Sequence, residues 1–160
     1  MKKQSLNLSS FAITILFCFS FAYSSEKNIA KGKARIIDGD TIEINSEKIR
    51  FGGIDTPEKK EIGHRFSKKK LSEKIGNNMV TCVREKNKDR WGRTVGECFV
   101  NEESLSSFMV QNGYACDYVK YSKKKYAKEQ EYAKANKLGI WKMQFSPYWE
   151  NKCRKKWKKY

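Results

Sequence analysis

Residues 33–51 read KARIIDGDTIEINSEKIRF, and this stretch points to the architecture. Ala34 and Ile36 alternate with basic neighbours, and Asp38-Gly39-Asp40 marks a tight turn. Ile42 and Ile44 then alternate with Thr41 and Glu43, and Ile49 and Phe51 follow a polar break. A period of two interrupted by turn residues predicts a strand, a tight turn and two more strands. Met79–Val83 and Thr94–Val100 form a second strand pair, joined by the polar segment Arg84–Arg93. Helices are predicted at Arg65–Ile75, ended near Gly76, at Ser104–Asn112, ended by Gly113, and at Ser122–Asn136, ended near Gly139. The strands are too short and too few for a sandwich. The pattern is mainly β with about three α-helices, which suggests a five-stranded Greek-key barrel of the OB type with helices packed around it.

Outside that core the composition bounds the possibilities. The 160 residues hold 34 Lys+Arg against 18 Asp+Glu, a formal charge of +16. With 39% hydrophobic and 13% aromatic residues the chain is too apolar for a basic disordered tail, and its length suits one domain. The single histidine, His64, excludes chemistry that needs two imidazoles, including zinc sites with two or more histidines. What remains is work by carboxylates, basic residues, tyrosines or metals held by oxygen.

Residues 1–24 have the form of a signal peptide. Lys2 and Lys3 precede an almost wholly apolar run, Phe11–Phe21, and Ala22-Tyr23-Ser24 places small residues where a signal peptidase reads. The run is about half of the ~20 residues needed to span a bilayer. Phe17 is too large for a lipobox ahead of Cys18. The expectation is export, to the medium, periplasm or cell surface, with a domain at 25–145, a basic tail at 146–160 and no membrane span after cleavage. Loss of two lysines and no acid lowers the formal charge from +16 to +14.

Cleavage leaves Cys82, Cys98, Cys116 and Cys153. Four thiols in an exported chain argue for two disulfides, with three connectivities possible, the alternative being buried unpaired thiols that fill the core. Cys82 with Cys98 is the expected pair, since they lie on strands flanking one polar connection, and this leaves Cys116 with Cys153. There is no C-x-x-C spacing to suggest a zinc site.

The chemistry-bearing residues concentrate in Asp38-Gly39-Asp40-Thr41, in Arg50-Phe51-Gly52-Gly53-Ile54-Asp55-Thr56-Pro57-Glu58, and in Asp89-Arg90-Trp91-Gly92-Arg93. In this combination and order the chain resembles the staphylococcal nuclease (thermonuclease) family, from about Lys33 to Trp141. The resemblance implies a calcium-dependent enzyme hydrolysing phosphodiester bonds of DNA and RNA with little sequence specificity. It also implies cleavage of the P–O5′ bond, leaving 3′-phosphate ends. It assigns Asp40, Asp55 and the Thr56 carbonyl to calcium, Glu58 to catalysis, and Arg50 and Arg93 to the phosphate. Trp91 stands where the best-known member has tyrosine, which keeps an aromatic surface and loses a hydroxyl.

Those roles are chemically sensible. Calcium takes several oxygen ligands. Two carboxylates and a carbonyl make a partial shell with room for water and a phosphate oxygen. An EF-hand fails, because the twelfth residue from Asp38 is Ile49 and from Asp40 is Phe51, where a bidentate Glu is required. An ordinary Asp-Gly turn explains Asp38 and Gly39 but not the second acid cluster. Glu58 could take a proton from an attacking water, and guanidinium forks match two phosphate oxygens at once.

The remaining features are less specific. His64 reads as an exposed polar residue at a basic helix start. Tyr114, Tyr118 and Tyr121 lie where the family faces aromatics to the bound base and read equally as core or barrel-rim residues, Tyr118 and Tyr121 being the substrate-binding candidates along with Trp91. Lysines at 68–70 and 123–125 read as solvated faces. The dense run Lys152–Lys159, with Trp157 and Tyr160, is either a nucleic-acid-gripping arm or a basic end pinned by Cys153. The expected protein acts as a monomer. Its rivals are a non-catalytic OB-fold binding module and a general binder of acidic polymers.

Overall fold

The computed structural model describes residues 28–142 together with Asn151 and Cys153. The expected signal peptide, residues 1–24, and most of the expected tail, with Trp157 and Tyr160, lie outside the described residues.

Strands β1 (Ile29–Gly32), β2 (Arg35–Asp38), β3 (Thr41–Ile44), β4 (Glu47–Phe51), β6 (Val80–Lys88) and β7 (Thr94–Val100) form one sheet in the order β1-β6-β7-β4-β3-β2. A short β8 (Glu103–Ser104) pairs with β7, while β5 (Ile54–Asp55) pairs separately with β9 (Cys116–Asp117). The β4–β7 contact is parallel and its neighbours are antiparallel. The sheet curls, so that Gly32 at the end of β1 meets the end of β3. A Cβ on Gly32 would lie 2.8 Å from Ile44 Cγ2, and the Asn45 amide reaches the Lys31 carbonyl. This is the strand-rich, OB-type arrangement that the alternation predicts.

Packed around it are helices α1 (His64–Ile75), α2 (Leu105–Gln111), α3 (Val119–Ser122) and α4 (Ala127–Ala135), followed by a 3₁₀ turn at Gly139–Lys142. Alternate residues of β7, namely Thr94, Gly96, Cys98 and Val100, face inward. Cys98 and Val100, with Ile42, Ile44, Ile49 and Phe51, meet Leu71 and Ile75 of α1 and Leu105, Met109 and Val110 of α2 in one core. Among the described residues no helix is long and apolar enough to cross a membrane.

Three local expectations need correction. The polar segment Arg84–Arg93 is strand as far as Lys88, because β7 supplies ladder partners and Glu47 takes Arg84 in a two-pronged contact at 3.0 and 2.7 Å. Strand β1 was not foreseen, since Ala30 and Gly32 are its only inward positions. The helix expected at Ser122–Asn136 is interrupted: Lys123 and Lys124 adopt left-handed φ of 54° and 68°, so α3 ends before them and α4 begins at Ala127.

Both expected cysteine pairs form. Cys82 and Cys98 sit directly opposite in the β6–β7 ladder with Cα atoms 4.0 Å apart, and Cys116 joins Cys153 with Cα atoms 6.0 Å apart.

Candidate active site

The site is built around the turn between β2 and β3. Asp38 Oδ1 accepts the Gly39 N–H at 2.8 Å, which stabilises the reversal locally. Gly39 is required by close approach, since a Cβ there would come within 3.0 Å of both Ser67 Cβ and Thr56 Oγ1. The turn delivers Asp40 into a nearly closed position, 5% exposed, and Phe51 N–H binds its carbonyl at 2.8 Å.

Asp40 is the hub. Its Oδ2 accepts the Thr56 N–H at 3.2 Å and the Thr56 hydroxyl at 2.9 Å, while Oδ1 accepts the Thr41 hydroxyl at 3.0 Å. Arg50 Nη2 lies 3.0 Å from Asp40 Oδ2 and 3.7 Å from Asp55 Oδ1. Arg50 is itself anchored: Nη1 donates to the Phe51 carbonyl at 3.0 Å and Nη2 to the Ile54 carbonyl at 2.8 Å. Asp55 is 3% exposed, and β5 holds it opposite Cys116 of β9. The structure therefore brings Asp40, Arg50, Asp55 and Thr56 together although β3 and β4 separate the two carboxylates in sequence.

Arg93 joins this group from another part of the chain. Its Nε donates to Asp89 Oδ2 at 2.6 Å, its backbone N–H to Asp89 Oδ1 at 2.9 Å, and its Nη1 reaches Thr41 Oγ1 at 3.5 Å. Thr41 in turn bonds Asp40, so one hydroxyl links Arg93 to the carboxylate that Arg50 also engages. Burial works against the Asp89 charge, but the Arg93 guanidinium and the Arg93 and Trp91 amides outweigh it and hold that carboxyl below its usual range.

Trp91 is 65% exposed, with the Arg90 guanidinium 3.9 Å and that of Arg93 5.0 Å from its ring centroid. Tyr118 and Tyr121 meet edge-on at 4.9 Å, and the Tyr118 N–H donates to the Gly53 carbonyl at 2.8 Å. Tyr114 instead packs against Phe66 and Phe108 and serves the core. Glu58 is exposed on the loop after Pro57, where its backbone N–H donates to Glu61 Oε2 at 2.7 Å. That loop lies between β5 and α1.

Two contacts escaped sequence reasoning. His64 is not an exposed residue: its Nε2 lies 2.9 Å from Asp38 Oδ1, tying the start of α1 to the turn that carries Asp40. Nothing in the intervening sequence signals that pairing. Asp89 holds Arg93 across a turn whose Trp91 and Arg93 amides its Oδ1 also accepts, and here the turn residues Asp89 and Gly92 were a usable signal.

The donor set available to a metal ion consists of hard oxygens. All four described cysteines are in disulfides, and the lone histidine is engaged by Asp38. Two buried carboxylates facing one guanidinium leave an excess negative charge that suits a hard cation. Among the described residues there is no group of three or more His, Cys, Asp or Glu side chains, so such an ion would need carbonyl and water oxygens as well.

Known proteins resemble this chain over most of its length. Residues 48–143, which include Arg50, Asp55, Thr56, Glu58 and Arg93, match the family model described as staphylococcal nuclease homologue. The chain is 34% identical over 136 residues to an uncharacterized endonuclease of Haemophilus influenzae, covering 81% of this chain and 75% of that protein. It is 31% identical to the micrococcal nuclease of Shigella flexneri, covering 67% and 70%. It is also 32% identical to the succinoglycan biosynthesis protein ExoI of Rhizobium meliloti, covering 71% and 65%. These matches, borne on a strand-rich, curled sheet of OB type, establish that the chain belongs to the staphylococcal nuclease family.

Proposed function

We propose that the protein is an exported, calcium-dependent nuclease that hydrolyses DNA and RNA with little sequence preference and acts as a monomer. The observation that carries this reading is the convergence of Asp40, Asp55 and Thr56 with Arg50 in one buried cluster. The names of the endonuclease and micrococcal nuclease relatives support it. Export is supported by the two cysteine pairs and by residues 1–24.

In this reading Asp40, Asp55 and the Thr56 carbonyl hold calcium, which would polarise a phosphoryl oxygen and offset its charge. Arg50, fixed by two carbonyls, and Arg93, fixed through Nε by Asp89, present guanidinium donors to the phosphate oxygens. Their positive charge counts most as negative charge develops on those oxygens, because fixed donors need no reorganisation. Glu58 accepts a proton from the attacking water at its carboxylate. The water oxygen bonds to phosphorus and the P–O5′ bond breaks; O5′ leaves and takes a proton from solvent to become a 5′-hydroxyl, and the other product keeps a 3′-phosphate. Trp91, Tyr118 and Tyr121 offer ring faces to the neighbouring bases, which is a sequence-tolerant mode of binding.

The test is digestion of single-stranded DNA, duplex DNA and RNA by the purified exported chain, with calcium and with excess chelator. Calcium-dependent breakdown ending in 3′-phosphates is expected. Binding without cleavage in calcium would replace this reading by a non-catalytic OB-fold module.

A further inference from the structure

Three turns place two consecutive non-glycine residues in the left-handed region: Asn45-Ser46 at φ 49° and 65°, Asn101-Glu102 at 49° and 65°, and Lys123-Lys124 at 54° and 68°. The first two close the β3–β4 and β7–β8 hairpins, which demand positive φ, and both open on asparagine, the side chain that best tolerates it. The third joins α3 to α4 and uses lysine at both positions. The turn satisfies the backbone, with the Lys123 N–H on the Val119 carbonyl and the Lys124 N–H on Ser122 Oγ, both at 3.0 Å, but neither bond uses a lysine side chain. Strain retained at a surface turn calls for a use of its side chains.

The turn is well placed for one. Lys123 and Lys124 are exposed and form no ion pair among the described residues, whereas the adjacent Lys125 is taken by Glu97 at 2.7 Å. Ser122, directly before them, packs on Gly53: a Cβ on that glycine would lie 2.8 Å from Ser122 Cβ. Gly53 leads straight into β5 and Asp55. Tyr121, 62% exposed, stands beside the turn with Lys120 Nζ 5.4 Å from its ring centroid. An exposed aromatic ring next to cations that make no ion pair, here Tyr121 beside Lys123 and Lys124, is what holds a single strand without reading its sequence.

We infer that Lys123 and Lys124 form an accessory clamp for single-stranded nucleic acid, gripping backbone phosphates of a strand that leaves the carboxylate site past Tyr118 and Tyr121. The identity of the ligand rests on the nuclease reading, so the test separates binding from cleavage. The probe is a fluorescent single-stranded DNA of about 20 nucleotides, longer than one OB-fold site, titrated by anisotropy over a range of salt in excess chelator. Cleavage of that strand and of a dinucleotide is followed separately in calcium. Lys123→Asn/Lys124→Asn removes charge and strain, Lys123→Gln/Lys124→Gln removes charge and keeps the strain, and Lys68→Gln/Lys69→Gln removes the same charge from α1.

Both turn variants should bind the strand several-fold more weakly, with the logarithmic salt slope shallower by about 1.4, or 0.7 for each of two phosphates. The α1 variant should change far less, and dinucleotide cleavage should be unaffected by any of them. The asparagine variant should melt about 2–4 °C above the glutamine variant. Turn variants no weaker than the α1 variant, a parallel loss of dinucleotide cleavage, or equal melting of the asparagine and glutamine variants would each overturn the clamp. Absence of cleavage by the parent, with the binding differences intact, would leave the clamp standing and refute the nuclease reading.

Discussion

Thr56 closes on Asp40 through two hydrogen bonds to a single carboxylate oxygen, Oδ2, at 3.2 Å from its N–H and 2.9 Å from its hydroxyl. The contact joins the β2–β3 turn to the loop that carries Asp55 and Glu58, so the geometry of one carboxylate is set by the other's loop. Thr56→Val should therefore raise the calcium needed for half-maximal activity by about tenfold, the usual effect of losing an outer hydrogen bond to a metal ligand. Asp40→Ala should raise it further, since charge and ligand are both lost. Calorimetric calcium titration of each variant checks the order; equal affinities would detach Asp40 from the ion.

Glu58→Gln should leave substrate binding in calcium largely intact and lower turnover by roughly 10² or more, as expected for loss of a general base. The measurement pairs rate with affinity for each variant. Turnover equal to the parent's would remove Glu58 from the mechanism.

Arg93→Lys keeps the charge but loses the planar fork, and should cost roughly 10² in turnover. Asp89→Asn keeps Arg93 and loosens the hold on its Nε, so its turnover should fall between the parent and Arg93→Lys. Single-turnover rates at saturating calcium make the comparison. An Asp89→Asn loss larger than that of Arg93→Lys would give Asp89 a role beyond holding the arginine.

Stability should respond to pH with opposite signs at Asp89 and Asp117. The Asp89 pKa is depressed in the folded protein, so its contribution is present above the ordinary value of 3.8 and is lost as pH falls through the folded pKa. Asp89→Asn should destabilise at neutral pH and converge with the parent in acid. Asp117 is fully buried, and burial pushes its carboxyl above 3.8 despite the Ser122 hydroxyl and Tyr126 amide. Its stabilising contribution is present below 3.8 and lost as pH rises through the folded pKa. Relative to the parent, Asp117→Asn should therefore gain stability from acid to neutral pH. Urea denaturation between these limits decides both signs.

The two disulfides should differ in their effect on the site. Cys82–Cys98 lies within the core ladder, and replacing both residues by alanine should cost about 2–4 kcal/mol of stability with little change in calcium affinity. Cys116 is the ladder partner of Asp55, so replacing Cys116 and Cys153 should also weaken calcium binding. Denaturation and calorimetry on the two double variants test this. Identical calcium affinities would show that β9 holds Asp55 without the cross-link.

Much of the fold was readable because its signals are local. The alternation of Ile42 and Ile44 with Thr41 and Glu43 depends only on the two-residue repeat of a strand, and the Asp38-Gly39 turn only on a side chain bonding its neighbouring N–H. Helix α1 matches the expected span to within one residue, and Gly76 stands just after its end. The expectation that Arg84–Arg93 is a loop failed at Arg84–Lys88 because polar composition cannot show a partner: β7 and Glu47 are what make that segment strand.

The same distinction runs through the site. The residue types at 40, 50, 55, 56, 58 and 93, and the resemblance they carry, were visible in a linear reading, as was the oxygen character of any metal chemistry. Their mutual distances were not. Arg50 reaches both Asp40 and Asp55 because antiparallel β3 and β4 set it opposite Thr41, and because Gly52-Gly53 returns the chain beneath it. Arg93 arrives through the parallel β4–β7 register, and His64 reaches Asp38 only when α1 packs on the sheet. The break at Lys123, beside the point where Ser122 seats on Gly53, leaves no mark in helix propensity, which continues through the lysines. Propensity and turn chemistry act over a few residues and so leave their mark in the chain. Contacts between strands that meet only after the sheet curls depend on register and packing, which no short segment specifies.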